Sequence, residues 1–182
     1  MSYVPSNYSE TTLASLSHVV MFHVLWVENI AKSKVAQLDE WKDFIDPHNA
    51  SADRIKKSRV IREVRDEGDR DGEATEGDTA YIGNTNGTAI YKLLLRDGFN
   101  NFSYAYEAEP LRFMRQENTG TPMPIRLGGR LIVKQGAPIK RGVLFLTHKN
   151  CEYKGINPAD AALVRTLNDG AAARAIDLLS RG

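Results

Sequence analysis

Cysteine is almost absent from the sequence, and this limits what can hold the fold together. The single Cys151 cannot form an intramolecular disulfide. Because it lies in a strand-like stretch, we predict that it packs as a small hydrophobic residue. A chain without disulfides is typical of a reducing compartment.

Long apolar runs are also missing. No stretch approaches the roughly 18 consecutive apolar residues of a membrane-spanning helix. Residues 1–8 lack the basic start and apolar core of a secretory signal peptide. The sequence therefore predicts a soluble, intracellular protein with no membrane partner.

Charge of one sign is not in excess, since 24 Lys and Arg residues face 23 Asp and Glu residues. Proteins that bind nucleic acid non-specifically usually carry a basic surplus that attracts phosphates. We therefore do not expect charge-driven DNA binding to be the main property of the chain.

Motifs for catalysis and metal binding are missing as well. There is no Walker phosphate loop and no G-x-S-x-G nucleophile turn. His18 and His23 are five residues apart, which suits neither one strand face nor a zinc-binding helix. We interpret His148 as a solvated turn residue and Glu107 and Glu109 as an exposed pair. We predict no catalytic residue, no metal and no cofactor, and favour a binding role over an enzyme.

What the sequence does contain is a series of short strand patterns. Residues 88–96 are rich in β-formers and end at Asp97-Gly98, a strong two-residue hairpin signal because both residues tolerate positive φ. The returning segment places Tyr104 and Tyr106 two residues apart, as in a strand with one buried and one open face. Further strands are predicted at residues 127–134, 139–146 and 150–153.

Glycines mark bends in this series. Gly128, Gly129 and Gly142 lie inside or beside strand patterns, where glycine indicates a bulge or a tight bend. Short strands with such bends, and no helices for β-α-β crossovers, predict a mainly β fold with flanking helices. The best candidate is a five-stranded oligonucleotide/oligosaccharide-binding (OB) barrel.

An apolar stretch at residues 17–27 is predicted to be the first barrel strand. It is rich in β-branched and aromatic residues, although a buried helix is an alternative. We expect Met21, His23, Leu25 and Val27 to share one face.

A short helix is predicted for residues 35–44. Apolar residues recur there at helical spacing, Ser33 is placed to cap the helix and Pro47 follows its end. We expect Trp41, on the apolar side, to be a core residue.

Residues 48–87 form a long insertion between the first two predicted strands, which we call the insertion arm. Its first half is basic, its second half is acidic and rich in glycine. Connections of this length without their own structure are uncommon and are usually functional or disordered. A solvated loop and a partner-binding or DNA-binding arm both fit this composition. The candidate binding residues are Arg54, Lys56, Lys57, Arg59, Val60, Ile61, Arg62, Val64 and Arg65.

The two ends of the chain flank this barrel. Residues 1–16 are predicted to be an N-terminal tail, frayed up to residue 12, and residues 17–182 a single OB-fold domain. A C-terminal helical segment at residues 157–181 begins with Asn157-Pro158, a cap and first-turn signal. We expect residues 168–170 to divide it and the segment to cover one open end of the barrel.

Several of these segments, taken in order, resemble the OB domain of the RecQ-mediated genome instability protein 1 family. They are Leu-Leu-Leu-Arg-Asp-Gly at residues 93–98, Tyr-Glu-Ala-Glu-Pro at 106–110, and the strands at 125–134 and 141–150. Residues 22–33 resemble the family's first strand and the element after it. Gly128-Gly129 stands where the family has Pro-Gly, and the length is that of its compact fungal type.

The resemblance implies a non-catalytic accessory subunit of topoisomerase III that acts in the nucleus with a RecQ-family helicase. In that family the insertion between the first two barrel strands reaches into the topoisomerase gate and tunes its opening during decatenation and double Holliday junction dissolution. Residues 48–87 occupy this position, and DNA would be contacted through the complex.

A different function also fits the residues, namely a single-stranded DNA-binding OB protein that acts alone. It would stack bases on Phe99, Phe102, Tyr104 or Tyr106. We rank it second because few Lys or Arg residues accompany these rings in the sequence.

Overall fold

The computed structural model describes residues 3–9, 11–47 and 89–181. These ranges contain eight strands and three α-helices. In chain order the elements are β1 (Ala14–Ser15), β2 (Val20–Asn29), α1 (Lys34–Ile45), β3 (Tyr91–Asp97), β4 (Phe102–Glu107), β5 (Arg130–Val133), β6 (Pro138–Lys140), β7 (Val143–Leu146), β8 (Cys151–Gly155), α2 (Ala161–Asp169) and α3 (Ala171–Arg181).

All eight strands belong to one curled sheet in the order β1-β6-β7-β4-β3-β2-β5-β8. Neighbouring strands are antiparallel except β4 and β7, which are parallel. The long strand β2 lies between β3 and β5 and pairs with both. The prediction of a mainly β fold with flanking helices is confirmed, and the sheet gains short strands beyond the five expected.

One predicted strand, residues 139–146, is two strands. β6 and β7 pair with each other around a tight turn in which Arg141 has φ of 50° and Gly142 φ of 82°. Positive φ at both central residues is the geometry of a two-residue hairpin whose twist matches the flanking strands. The tight bend predicted at Gly142 is therefore confirmed, and it reverses the chain so that residues 139–146 form parts of two strands.

The β3–β4 hairpin exists as predicted, but its turn is longer. Gly98–Asn101 separate the strands, and the positive φ, 63°, falls on Asn100. The Asp97 carboxylate accepts hydrogen bonds from the backbone nitrogens of Phe99 and Asn101 at 2.8 and 2.9 Å. This side chain organises a four-residue loop where the dipeptide alone predicted a two-residue turn.

The prediction that Met21, His23, Leu25 and Val27 share one face of the first strand is wrong. Val20, Phe22 and Val24 are fully buried, whereas Met21 and His23 lie on the outer face. A register shift against β3 between Val24 and Trp26 adds one residue, and Val27 is buried again after it. Because a bulge reverses the alternation of side chains, no single face could hold all four predicted residues.

The N-terminal stretch packs on the sheet, so the expectation that residues up to 12 are frayed is wrong for residues 3–9. The Tyr3 backbone nitrogen donates to Asp97 Oδ2 at 2.8 Å, and its hydroxyl donates to the Gly142 carbonyl at 2.6 Å. Its ring is buried and meets Phe22 edge to face, with centroids 6.1 Å apart. Tyr3 therefore joins two separate turns and belongs to the core.

The helices follow their sequence signals. Ser33 Oγ accepts a hydrogen bond from the Ala36 backbone nitrogen at 3.1 Å and caps α1, and Trp41 is buried as expected. The C-terminal segment divides at Gly170, and α3 packs against α1. Because Ala171 and Ala175 share a core cluster with Trp41, this segment completes the core at the α1 side.

Candidate functional site

The predicted binding residues of the insertion arm, from Arg54 to Arg65, lie within residues 48–88, which are outside the described residues. The structure does show which contacts hold the described residues before and after this segment.

The return point is anchored by a buried ion pair. Arg115 Nη1 and Nη2 contact the two Glu107 oxygens at 2.6 and 3.0 Å, and the Glu107 side chain is only 2% exposed. The expectation of an exposed Glu107 is therefore wrong. Arg115 Nη2 also donates to the Ala89 carbonyl at 2.9 Å. Glu107 Oε2 accepts from the Tyr91 nitrogen at 3.1 Å, so the first described residues after the segment are fixed on β4.

The chain leaves for the insertion just after α1, and the start of α1 is tied to the end of β2. The Ile30 nitrogen donates to the Ile90 carbonyl at 2.8 Å, so the chain before the segment pairs with the chain after it. The buried Gln37 side chain donates to the carbonyls of Asn29 and Lys32 at 3.0 and 2.9 Å. The first turns of α1 are thereby tied to the end of β2.

A second feature is the outer surface of β3, β4, β6 and β7, which we call the aromatic–lysine face. The side chains at outward positions alternate with buried ones along each strand. Its polar and aromatic members are Lys92, Arg96, Phe102, Tyr104, Tyr106, Lys140 and Phe145.

Cations and rings meet directly on this face. Lys92 Nζ lies 4.2 Å from the Tyr104 ring centroid and 5.9 Å from that of Tyr106. Lys140 Nζ lies 4.7 Å from the Phe145 centroid, and Tyr106 and Phe145 are 5.8 Å apart and tilted. The parallel pairing of β4 with β7 places Phe145 directly opposite Tyr106. Sequence reasoning identified Tyr104 and Tyr106 as candidate rings, but it missed Phe145 and the lysines Lys92 and Lys140 that lie over the rings.

Next to this face is a groove of about 320 Å³ between the sheet and the helices. Trp26, Leu94 and Tyr104 line it from the strands, and Trp41, Leu178 and Leu179 from the helices. Arg174 lies over the Trp26 ring at 6.0 Å. The groove extends the apolar surface of the aromatic–lysine face toward α1 and α3.

Other polar groups have structural partners. His23 Nε2 and Arg130 Nε contact Asp160 Oδ2 at 3.0 and 2.8 Å, and these hydrogen bonds, that from Arg130 foremost, lower the pKa of Asp160 to about 2. His148 Nδ1 pairs with Glu109 at 2.9 Å on the surface. Within the described ranges no group of three or more metal-ligating side chains comes together, and no helix is long and apolar enough to span a bilayer.

A small curled sheet of this topology, with a long connection after its first long strand, is the architecture of an OB fold. Residues 4–161 match the family model described as RMI1, N-terminal OB-fold domain. This match covers most of the chain, and the chain belongs to that family.

A curated relative agrees with this membership. The chain is 27% identical over 159 residues to RecQ-mediated genome instability protein 1 of Saccharomyces cerevisiae, which covers 79% of this chain and 61% of the relative. The chain thus spans about three fifths of the length of the relative that it matches. The resemblance and the OB fold predicted from the sequence are confirmed.

Proposed function

We propose that the protein is a non-catalytic OB-fold subunit that binds topoisomerase III. In this proposal the insertion arm regulates gate opening during decatenation and double Holliday junction dissolution, together with a RecQ-family helicase in the nucleus. The observation that carries the proposal is membership of the RMI1 family over residues 4–161. The name of the yeast relative refers to RecQ-mediated genome instability, which supports a role in the same pathway.

The anchoring of the segment's two ends supports a mechanical role. Ala89 and Tyr91 are held by the Arg115–Glu107 pair, and Ile30 is hydrogen-bonded to Ile90. A connection that starts after a packed helix and returns to a packed sheet has a limited reach, set by its length. Such an arm can act on a partner by contact alone, without catalysing a reaction.

The arm's composition supports contact with both a protein and DNA. Six cations, Arg54, Lys56, Lys57, Arg59, Arg62 and Arg65, precede a run of carboxylates. Basic side chains attract phosphates, and apolar residues such as Val60, Ile61 and Val64 suit a protein surface.

The proposal is tested by shortening the arm. Residues 50–85 are replaced by a short Gly/Ser linker, and the variant is compared with the full chain for topoisomerase III binding and for decatenation by the complex. We expect a 1:1 complex with nearly unchanged affinity and altered decatenation. Unaltered decatenation would overturn the arm's role, and no complex with either protein would overturn the subunit proposal.

A matched pair of charge variants refines this test. One variant carries Arg54, Lys56, Lys57 and Arg59 changed to Gln, and the control carries Asp66, Glu67, Asp69 and Asp71 changed to Asn or Gln. Both remove four charges from the arm. Because the basic half is the proposed contact, the first variant should change decatenation more than the control, and equal effects would count against it.

A further inference from the structure

We propose that the groove between the sheet and the helices α1 and α3 binds a short acidic amphipathic peptide of a partner protein. Such a peptide would place apolar side chains in the groove and carboxylates at its rim. The proposed function assigns the work of the protein to the insertion arm, so a binding groove on the described part of the chain goes beyond it. The position, the apolar lining and the charge of the groove support this role.

The first observation is that the groove lies between two layers of the fold. Trp26 and Leu94 line it from the sheet, and Leu178 and Leu179 line it from α3. Its volume of about 320 Å³ falls within the range of about 300–1,000 Å³ that is typical of ligand sites. Because one side is made by helices that flank the sheet, the groove is specific to this arrangement of helices and is not part of the barrel alone.

The second observation is an apolar stripe on α3 that continues beyond the core. Ala171 and Ala175 are buried in the core. Leu178 and Leu179 follow Ala175 by three and four residues, which places them on the same side of the helix. Both line the groove, and Leu178 is 54% exposed. The buried half of the stripe therefore fixes an apolar surface that a partner can reach.

The third observation is that aromatic rings extend this surface. Trp26 is partly buried and Tyr104 is 48% exposed, and both line the groove together with Leu178. A single exposed apolar residue is ordinary, whereas a contiguous apolar patch with a polar rim indicates an interaction site. Trp and Tyr are also enriched among the residues that contribute most to binding at protein interfaces.

The fourth observation is the charge at the rim. Of the described residues that line the groove, Lys34 and Lys92 are cations and Glu28 is the one carboxylate. Arg174 adds a further cation beside the groove, over the Trp26 ring. The rim is thus more positive than the chain as a whole, whose formal net charge is +1. Carboxylates of a partner peptide would be attracted to it.

A peptide fits these observations better than other occupants do. Nucleic acid carries a phosphate on every nucleotide, whereas the Glu28 carboxylate lines the groove and much of the lining is aliphatic. A second copy of the chain would have to present an acidic apolar segment. Helix α1 carries Asp39, Glu40 and Asp43 around Trp41, but the Trp41 side chain is buried in its own core.

The test begins with a phage-displayed library of random peptides of about 12 residues, selected on the full chain at about 50 mM salt. We expect the selected peptides to share large apolar residues flanked by Asp and Glu. A synthetic copy of the strongest binder, labelled with fluorescein, then serves as the probe in anisotropy titrations. A selection that yields no binder, or binders with basic flanks, would overturn the inference.

A matched pair of leucine variants locates the probe on the molecule. Leu178→Glu should weaken binding of the probe at least about tenfold, because it places a carboxylate in the apolar part of the groove. Leu13→Glu, at an exposed leucine outside the groove, should bind as the unmodified chain does. Thermal unfolding of both variants shows whether the fold is kept. Equal affinities of two folded variants would contradict the assignment to the groove.

A matched pair of charge variants tests the rim. Lys34→Glu/Lys92→Glu should weaken binding about tenfold at about 50 mM salt and less at about 200 mM, because salt screens exposed charges. Lys149→Glu/Lys154→Glu changes the net charge equally outside the groove and should have little effect. A loss of the same size in this control would show that net charge attracts the probe, and the groove would then have no role.

Three further results would identify a different occupant and overturn the inference. Displacement of the probe by less oligothymidylate than unlabelled peptide would favour nucleic acid. A dimer of the chain that Leu178→Glu dissociates would favour a second copy. Affinity that rises about tenfold when residues 50–85 are shortened would show that the insertion arm competes for the groove. We expect the shortened variant to bind the probe unchanged, whatever its effect on decatenation, which separates this inference from the proposed function.

Discussion

On two parts of the outer surface of the sheet, the charged side chains have different partners. Where β2 lies beside β5, His23 and Arg130 are cross-strand neighbours, and both contact Asp160 of the C-terminal segment. Where β3 and β4 lie beside β7, Lys92 and Lys140 contact aromatic rings. The first surface is closed by its own ion pairs, and the second is open.

Charged side chains that are paired with a carboxylate stabilise the fold, whereas those that contact only aromatic rings are available to bind a ligand. An Arg with two hydrogen bonds to a carboxylate contributes to the fold, and removing its partner has a cost. A Lys above an exposed ring contributes little to stability and can exchange its contact for a ligand. Stability and binding should therefore respond to different sets of mutations.

The largest effect on stability is expected inside the sheet, at the Arg115–Glu107 pair. Arg115→Met leaves the buried Glu107 carboxylate without its cation, which costs about 3–5 kcal/mol of unfolding free energy. Urea unfolding measures the change. Arg112→Met, at an exposed position three residues earlier, is the control and should stay within about 0.5 kcal/mol. If Arg115→Met were equally mild, the described anchor of residue 89 would not hold.

Asp160→Asn should have a smaller effect, about 2 kcal/mol, because it weakens hydrogen bonds from Arg130 and His23 without burying a lone charge. Denaturant unfolding near neutral pH measures it. Asp177→Asn, which removes the acid of a surface pair with Arg181, is the control and should change little.

The contacts of Asp160 also make the stability of the fold depend on pH in the acid range. The folded pKa of Asp160, about 2, lies below its ordinary value of 3.8. Its contribution is therefore fully present above the ordinary value, declines below it and is lost as the pH falls through about 2. Asp160→Asn should reduce the pH dependence of stability in this interval, and an unchanged dependence would contradict the contacts.

The smallest effects on stability are expected on the open surface. Tyr104→Ala and Lys92→Ala should change the unfolding free energy by no more than about 0.5 kcal/mol, since both side chains extend outward from a packed strand. A loss above about 2 kcal/mol for either variant would erase the distinction between the two surfaces.

Local signals predicted the elements that depend on neighbouring residues. Ser33 capped the helix as expected, Cys151 lay buried in a strand, and the β3–β4 hairpin formed at Asp97. Each depends on a few adjacent side chains whose preferences can be read directly.

The features that were missed depend on contacts between distant parts of the chain. The bulge after Val24 shows only when β2 is paired with β3, and Tyr3 is buried only because Gly142 and Asp97 lie close together in the fold. Phe145 joins Tyr106 across a parallel pair of strands 39 residues apart in sequence. Composition alone therefore missed the lysines beside the rings, because it could not show which strands are neighbours.

The isolated Cys151 has a practical consequence. Burial raises the pKa of its thiol to about 11, so hardly any thiolate is present at neutral pH. Maleimide dyes should thus leave the native side chain unmodified and react at a thiol introduced by Ser58→Cys. The otherwise natural chain could then carry a single reporter in the insertion arm, and its emission would follow engagement of a partner in real time.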